Sequence, residues 1–254
     1  KEVEELVANT KFKQFNDGQF IFIGGITRMF KKYGWYKHKK FRVWLGDLVE
    51  EKTGDRDITL KALHDSGYVD LYTTCTLLDQ QRLEVLSYET YPEMKVIDAV
   101  TVSMSIPLYF ESLYMNASGE LVDPRKYDGE CHLAFDGGMI ANFPISIFDS
   151  LDNGTRIEDP YTVGFRMDIP AQIDNDRNGH QLASAEVRSL KTYVGALYTL
   201  TIESLNRQSL TEGDWDRTVS ISSGAVGPKI RKLKPEEKTE LLTNGKESVK
   251  TYFK

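Results

Sequence analysis

With 254 residues, about 40% of them apolar, the chain can bury one sizeable core. A formal charge of −6 and a pI near 5.4 argue against general nucleic-acid binding, which needs a basic face. The only two cysteines, Cys75 and Cys131, stand far apart in apolar surroundings and read as buried thiols or a reducing compartment, not a disulfide framework.

The opening residues, KEVEELVANTKF, carry a short helical stripe at Val3, Leu6 and Val7 but have neither the basic start nor the apolar core of a signal peptide. No cap precedes them, so the chain is expected to begin partway through its domain. A turn is predicted at Asn16-Asp17-Gly18, then helices over 26–33 and 41–51 and a helical turn over 59–63 introduced by Asp57. At Val69 the period changes. Residues 69–78 and 83–88 are rich in β-branched and aromatic side chains and read as two strands joined by a turn.

A helix over 96–104 ends before Pro107, and a buried strand is predicted over 132–135, followed by a helix over 145–151 and a strand over 161–167. The longest helix is expected over 182–205, with Leu182, Val187, Leu190, Val194, Leu197, Thr201 and Leu205 on one stripe covering the core. A strand over 217–221 and a polar helix over 235–252 close the chain. The stretches 116–130 and 171–181 read as surface loops. Alternating strands and helices predict one α/β domain over residues 1–254, a three-layer α/β/α arrangement around a mainly parallel sheet. No run of about eighteen apolar residues is long enough to span a membrane, which points to a cytoplasmic chain or one peripheral to a membrane, with a signal peptide upstream of Lys1 left open.

Function is expected at "LAFDGGMIANFPISIFD" (133–149), where an apolar run ends in Asp136 and two glycines follow. In open α/β sheets ligands gather at the carboxyl ends of strands. Gly137 and Gly138 would allow positive φ and let another segment approach the carboxylate. On residue chemistry alone, Asp136 reads either as a turn or helix cap or as a catalytic carboxylate.

The ordered pair "DAVTVSMSIPLYFES" (98–112) and "HLAFDGGMIANFPISIFD" (132–149) resembles the patatin-like phospholipase family. The matching positions are Ser105, Pro107, Phe110, Asp136, Gly137, Gly138, Asn142 and Pro144. Upstream, residues 24–63 look like the helical region after the family's nucleophile helix, and the resemblance runs over roughly residues 1–222. It implies a lipid acyl hydrolase of phospholipase A or esterase type that forms an acyl-enzyme through a serine–aspartate dyad. Asp136 would be the general base, with no histidine, metal or cofactor, and the substrate a lipid or acyl ester. Gly137, Gly138, Asn142 and Pro144 would support the motif, with Pro144 in the first turn of the next helix and Asn142 either capping it or holding the Asp136 loop.

No Gly-x-Ser-x-Gly occurs in these 254 residues, and Ser105 lacks flanking glycines. The nucleophile and oxyanion loop are therefore expected upstream of Lys1. The chain alone is expected to be inactive, and a groove is expected beside Asp136. The alternatives are an inactive patatin-like domain that binds lipid or protein, and a carboxylate-based metal or sugar site around Asp136. "DNDRNGH" (174–180) begins in calcium-loop register, but Ala185 stands where the twelfth-position acid belongs, so it reads as a solvated turn. "KKYGWYKHKKFRVW" (31–44) reads as a solvated basic helix start, with a membrane-surface patch at Trp35 and Tyr36 as the alternative. His132 is expected to be structural, and Asn116-Ala-Ser and Asn153-Gly-Thr are short glycosylation-pattern matches without supporting context.

Overall fold

The computed structural model describes residues 5–6, 10, 12–18, 22–178, 181–224, 226 and 233–254. Val3 and Val7 of the expected opening stripe lie outside them, as does Gly179. The chain divides into two units, Lys1–Ile140 and Ala141–Lys254.

In the first unit, helix α1 (Phe22–Lys32) leads into strand β1 (Gly34–Tyr36), then α2 (Lys39–Thr53) and α3 (Leu60–Asp65). α3 is capped by Thr59, whose hydroxyl accepts the Ala62 N–H, and not by Asp57. Strands β2 (Thr73–Leu77) and β3 (Arg82–Leu86) form the hairpin foreseen from their β-branched composition. After α4 (Val96–Ser103) come β4 (Leu108–Phe110), β5 (Leu113–Asn116), β6 (Leu121–Val122) and β7 (Cys131–Asp136).

Five of these strands make one sheet in the order β3-β2-β7-β5-β6. The expected α/β class holds, and parallel pairing is found between β1 and β4. The five-stranded sheet, however, pairs antiparallel throughout. For the β2–β3 and β5–β6 pairs the reason is connection length. Four residues link β2 to β3 and another four link β5 to β6, whereas a parallel crossover needs a dozen or more. The second of these hairpins occupies part of the 116–130 stretch expected to be loop. Asn116 is buried there with its side chain bonded to Ser118 and Tyr127, so its glycosylation match is a structural asparagine. The core collects Leu60 of α3, Met94 just before α4 and Val102 within it, and Cys75, Leu77, Leu86, Met115 and Ala134 of the sheet. Burial pushes the Cys75 thiol up to about 12, which keeps it protonated and inert.

After the short helix α5 (Gly138–Ala141), the second unit opens with a 3-10 turn over Ile145–Phe148. A helix over 145–151 does not form. The chain instead turns back as the hairpin β8 (Ser150–Asp152) and β9 (Thr155–Ile157), closed by Asn153 and Gly154 at φ 49° and 81°. Asn-Gly is the favoured two-residue hairpin sequence, because both of its residues take positive φ readily. β10 (Gly164–Asp168) is followed by α6 (Pro170–Asn178), a helix where the sequence suggested a loop. α7 (Leu190–Gln208) starts eight residues later than its stripe predicted, at Ser189, whose hydroxyl and the Thr192 side chain form a reciprocal cap. Leu190, Val194, Leu197 and Leu205 are exposed on it, so the helix does not cover a core as expected. α8 (Glu212–Asp216), β11 (Thr218–Ser222) and α9 (Pro235–Tyr252) complete the unit, with β10 and β11 parallel and in register from Gly164 and Thr218 onward.

Charged side chains fill the interior here. Arg217 binds both oxygens of Asp149 at 2.8 and 2.7 Å and also reaches Asp214, which Arg156 bonds in turn. Arg207, buried, bridges Asp168 and Asp176. Every arginine in this set has carboxylate partners, as charges removed from water require.

Candidate active site

β7 is the middle strand of its sheet, and Asp136 is its last residue. Leu133, Ala134 and Phe135 supply the apolar run that seats the strand between β2 and β5. Asp136 itself lies opposite Cys75 of β2. Its backbone is fixed on two sides: the N–H donates to Ser105 O at 3.1 Å, and the carbonyl accepts the Thr76 hydroxyl at 3.2 Å. The side chain folds back so that Oδ1 accepts the Gly138 N–H at 2.8 Å. Burial raises the carboxyl above the ordinary aspartate value, and the Gly138 hydrogen bond only partly offsets this.

The two glycines have separate reasons. Gly137 does not take a positive φ; it is a point of close approach. A Cβ there would come within 2.7 Å of both the carbonyl carbon and the Cβ of Thr74 on β2. Gly138 opens α5 and supplies the N–H that holds the carboxylate. The segment that Gly137 lets approach is therefore the neighbouring strand β2, at Thr74.

Ser105 belongs to the other half of the motif and follows α4. Its carbonyl holds Asp136, but its hydroxyl points into a different set of contacts. Oγ donates its one proton to Thr101 O at 2.5 Å and lies 2.8 Å from His38 Nε2. That leaves it to accept from a protonated Nε2, so His38 cannot take a proton from it in this arrangement. Both residues are nearly solvent-free, at 1% and 3% exposed. His38 also stacks on Phe110, with ring centroids 5.2 Å apart, and burial followed by the charges of Arg42 and Lys32 pulls its pKa down to about 4. Ser105 and Phe110 of the motif thus form a neutral strut. Nothing in the spacing announced His38, which lies 67 positions from Ser105.

Asn142 and Pro144 fall in the second unit. Pro144 directly precedes the 3-10 turn Ile145–Phe148 and makes no side-chain cap. Asn142 is exposed, and the expected cap is reversed: its backbone N–H donates to the side-chain oxygen of Asn206, a buried residue of α7. His132 bonds Asp79 at 2.7 Å and Gln80 at 3.0 Å, a structural pairing at the start of β7.

A crystal structure of VipD from Legionella pneumophila is similar to this chain at 15% identity and a TM-score of 0.42, over 78% of this chain and 35% of that one. This chain therefore spans about a third of the length of that protein. No curated protein matches. The family model described as patatin-like phospholipase matches residues 1–149, more than half of the chain and a span that holds the Ser105 strut, β7 and the whole Asp136 motif. The chain belongs to the patatin-like phospholipase family.

Proposed function

We propose that this chain carries the general base of a lipid acyl hydrolase, with Asp136 as that base and with the nucleophilic serine supplied by sequence upstream of Lys1. The family supports lipid acyl hydrolysis in general. What supports the assignment to Asp136 is one observation: a half-buried carboxylate, raised in basicity by burial and held by a single backbone N–H, at the end of the middle strand. A carboxylate of ordinary pKa near 3.9 is a poor base toward a hydroxyl. Burial moves it in the useful direction, and contact with the hydroxyl, together with oxyanion donors, would do the rest. In the reaction, the serine oxygen attacks the acyl carbonyl while its proton passes to the free oxygen of Asp136. The tetrahedral intermediate collapses as that proton is handed to the leaving alcohol. Water then repeats the sequence on the acyl-enzyme.

The substrate would be an acyl ester at a lipid surface, met peripherally. No helix among the described residues is long and apolar enough to cross a membrane, and Lys31, Lys32, Lys37, Lys39 and Lys40 leave a basic face exposed. Trp35 and Tyr36 are half-buried in β1 and do not extend that face.

The test compares the 254-residue chain with a form extended upstream to include a Gly-x-Ser-x-Gly. The extended form should hydrolyse fatty-acyl esters and take up a fluorophosphonate, and Asp136→Asn should abolish hydrolysis while leaving the melting temperature nearly unchanged. The short chain should do neither. An adduct on Ser105, or full activity of Asp136→Asn, would overturn the proposal.

A further inference from the structure

A cavity of about 500 Å³ opens at the carboxyl ends of the parallel pair β1 and β4, and Asp136 is not among its lining residues. Its size falls within the range of about 300–1,000 Å³ typical of small-molecule sites. The residues that immediately follow the two strands, Lys37, His38 and Glu111, line it, and so do Lys39 and Arg42 from the first turn of α2. Arg56 reaches in from beyond the helix. It is held there by Asp47 at 2.5 Å and Val43 O at 3.0 Å, and Gly46 leaves the space its guanidinium occupies, since a Cβ at 46 would collide with it.

The charge on this wall is unbalanced. The two lining carboxylates are already matched, Glu111 by Lys32 and Asp57 by Lys95, each at 2.9 Å. Arg42 and Arg56 have acids of their own in Asp98 and Asp47. Lys37 and Lys39 have no ion pair among the described residues, which leaves two positive charges uncompensated in a chain whose net charge is −6. Nη1 of Arg42 makes no hydrogen bond among the described residues, so this guanidinium keeps donor capacity beyond its pairing with Asp98. Burial first, and then the charges of Arg42 and Lys32, lower the pKa of His38, so positive charge on this side adds to its desolvation. The rest of the lining is apolar, from Val43, Ile97, Leu113 and Leu121.

We infer that this cavity binds the phosphoryl group of an organic phosphate, with Lys37, Lys39, Arg42 and Arg56 around the anion and the apolar lining against its substituent. The site does not depend on the acyl-hydrolase reading. Its chemistry suits either an anionic lipid headgroup or a soluble phosphate ester.

The test titrates the 254-residue chain with inorganic phosphate by calorimetry at low ionic strength. In parallel, the chain is co-sedimented with phosphatidylcholine vesicles with and without phosphatidic acid. The native chain should bind phosphate, and Lys37→Gln/Lys39→Gln, which alters only exposed side chains, should weaken binding about tenfold (about 1.4 kcal/mol). A control with the same charge change elsewhere, Lys126→Gln/Lys254→Gln, should bind as the native chain does. Recruitment to phosphatidic acid that phosphate competes away assigns the site to a headgroup. Phosphate binding without recruitment assigns it to a soluble ester. No binding in either arm, or equal weakening by both variant pairs, would overturn the inference.

Discussion

The close approach at Gly137 can be tested with one methyl group. In Gly137→Ala the new Cβ meets the Thr74 carbonyl carbon and Cβ at 2.7 Å, against about 3.5–4.0 Å for a relaxed carbon–carbon contact. Something must move by close to an ångström. Thr74 cannot retreat freely, because it is in register with Val85 of β3, and the next residue of its strand, Cys75, is in register with Asp136. Overpacking of this kind costs about 1–3 kcal/mol. Since the φ of Gly137 is not positive, alanine adds no backbone strain, and its smaller unfolded-state freedom returns about 0.4–1 kcal/mol. A net loss of about 1–2 kcal/mol is expected. It should appear in urea as a lower midpoint with an unchanged slope. Adding Thr74→Ala removes the hydroxyl contact but leaves the carbonyl carbon and Cβ in place, so it should recover less than half. A loss below about 0.5 kcal/mol would refute the collision. Complete recovery in the double variant would refute the claim that the backbone is what is struck.

Asn206→Ala should destabilise the chain by about 1–3 kcal/mol, because it strands the Asn142 N–H; Asn142→Ala, whose side chain is exposed, should change stability by less than about 0.5 kcal/mol. Denaturant midpoints decide between them, and the opposite ranking would restore Asn142 as the cap. Acid should loosen the second unit. Arg217 holds Asp149 well below the usual carboxylate range, and although burial alone would raise Asp214, Arg156, the Thr211 N–H and Arg217 bring it to about 2. Because these folded values lie below the unfolded ones, the stability they confer is complete above about pH 4 and is lost as pH falls through about 2. Urea midpoints measured from pH 5 to pH 2 should fall in that window and fall less in Arg217→Gln. A flat profile would contradict the linkage.

The site was legible where local chemistry dictated it. An apolar run stopping at an acid gave both the end of β7 and Asp136, and Pro235 at the first turn of α9 marked that helix to the residue. Two glycines signalled a need for little bulk, but they could not say whether the need was a left-handed φ or a neighbour at contact distance. The neighbour, Thr74, is 63 positions away. Likewise His38 reaches Ser105 only through the fold. The hairpins β5–β6 and β8–β9 are hard to see in the sequence because each contains a strand of only two or three residues, too short to show an alternating period, and Asn153-Gly154 matches a glycosylation pattern as well as a turn. The apolar period of α7 extends back through 182–189, but the Ser189 cap is the stronger boundary and sets its start.

The backbone of Asp136 is held by its neighbours: Cys75 of β2 opposite it, the Ser105 carbonyl on its amide and the Thr76 hydroxyl on its carbonyl. Its amide should exchange with deuterium only when the contact with the Ser105 segment opens. For the proposed dyad this fixes which partner is mobile. The ordering entropy of the carboxylate was lost when the chain folded, and nothing further need be lost at the moment of reaction. Whatever travel substrate capture demands must then occur in the hydroxyl-bearing segment and the lipid. In that proposal Asp136 is the stationary post against which they would align.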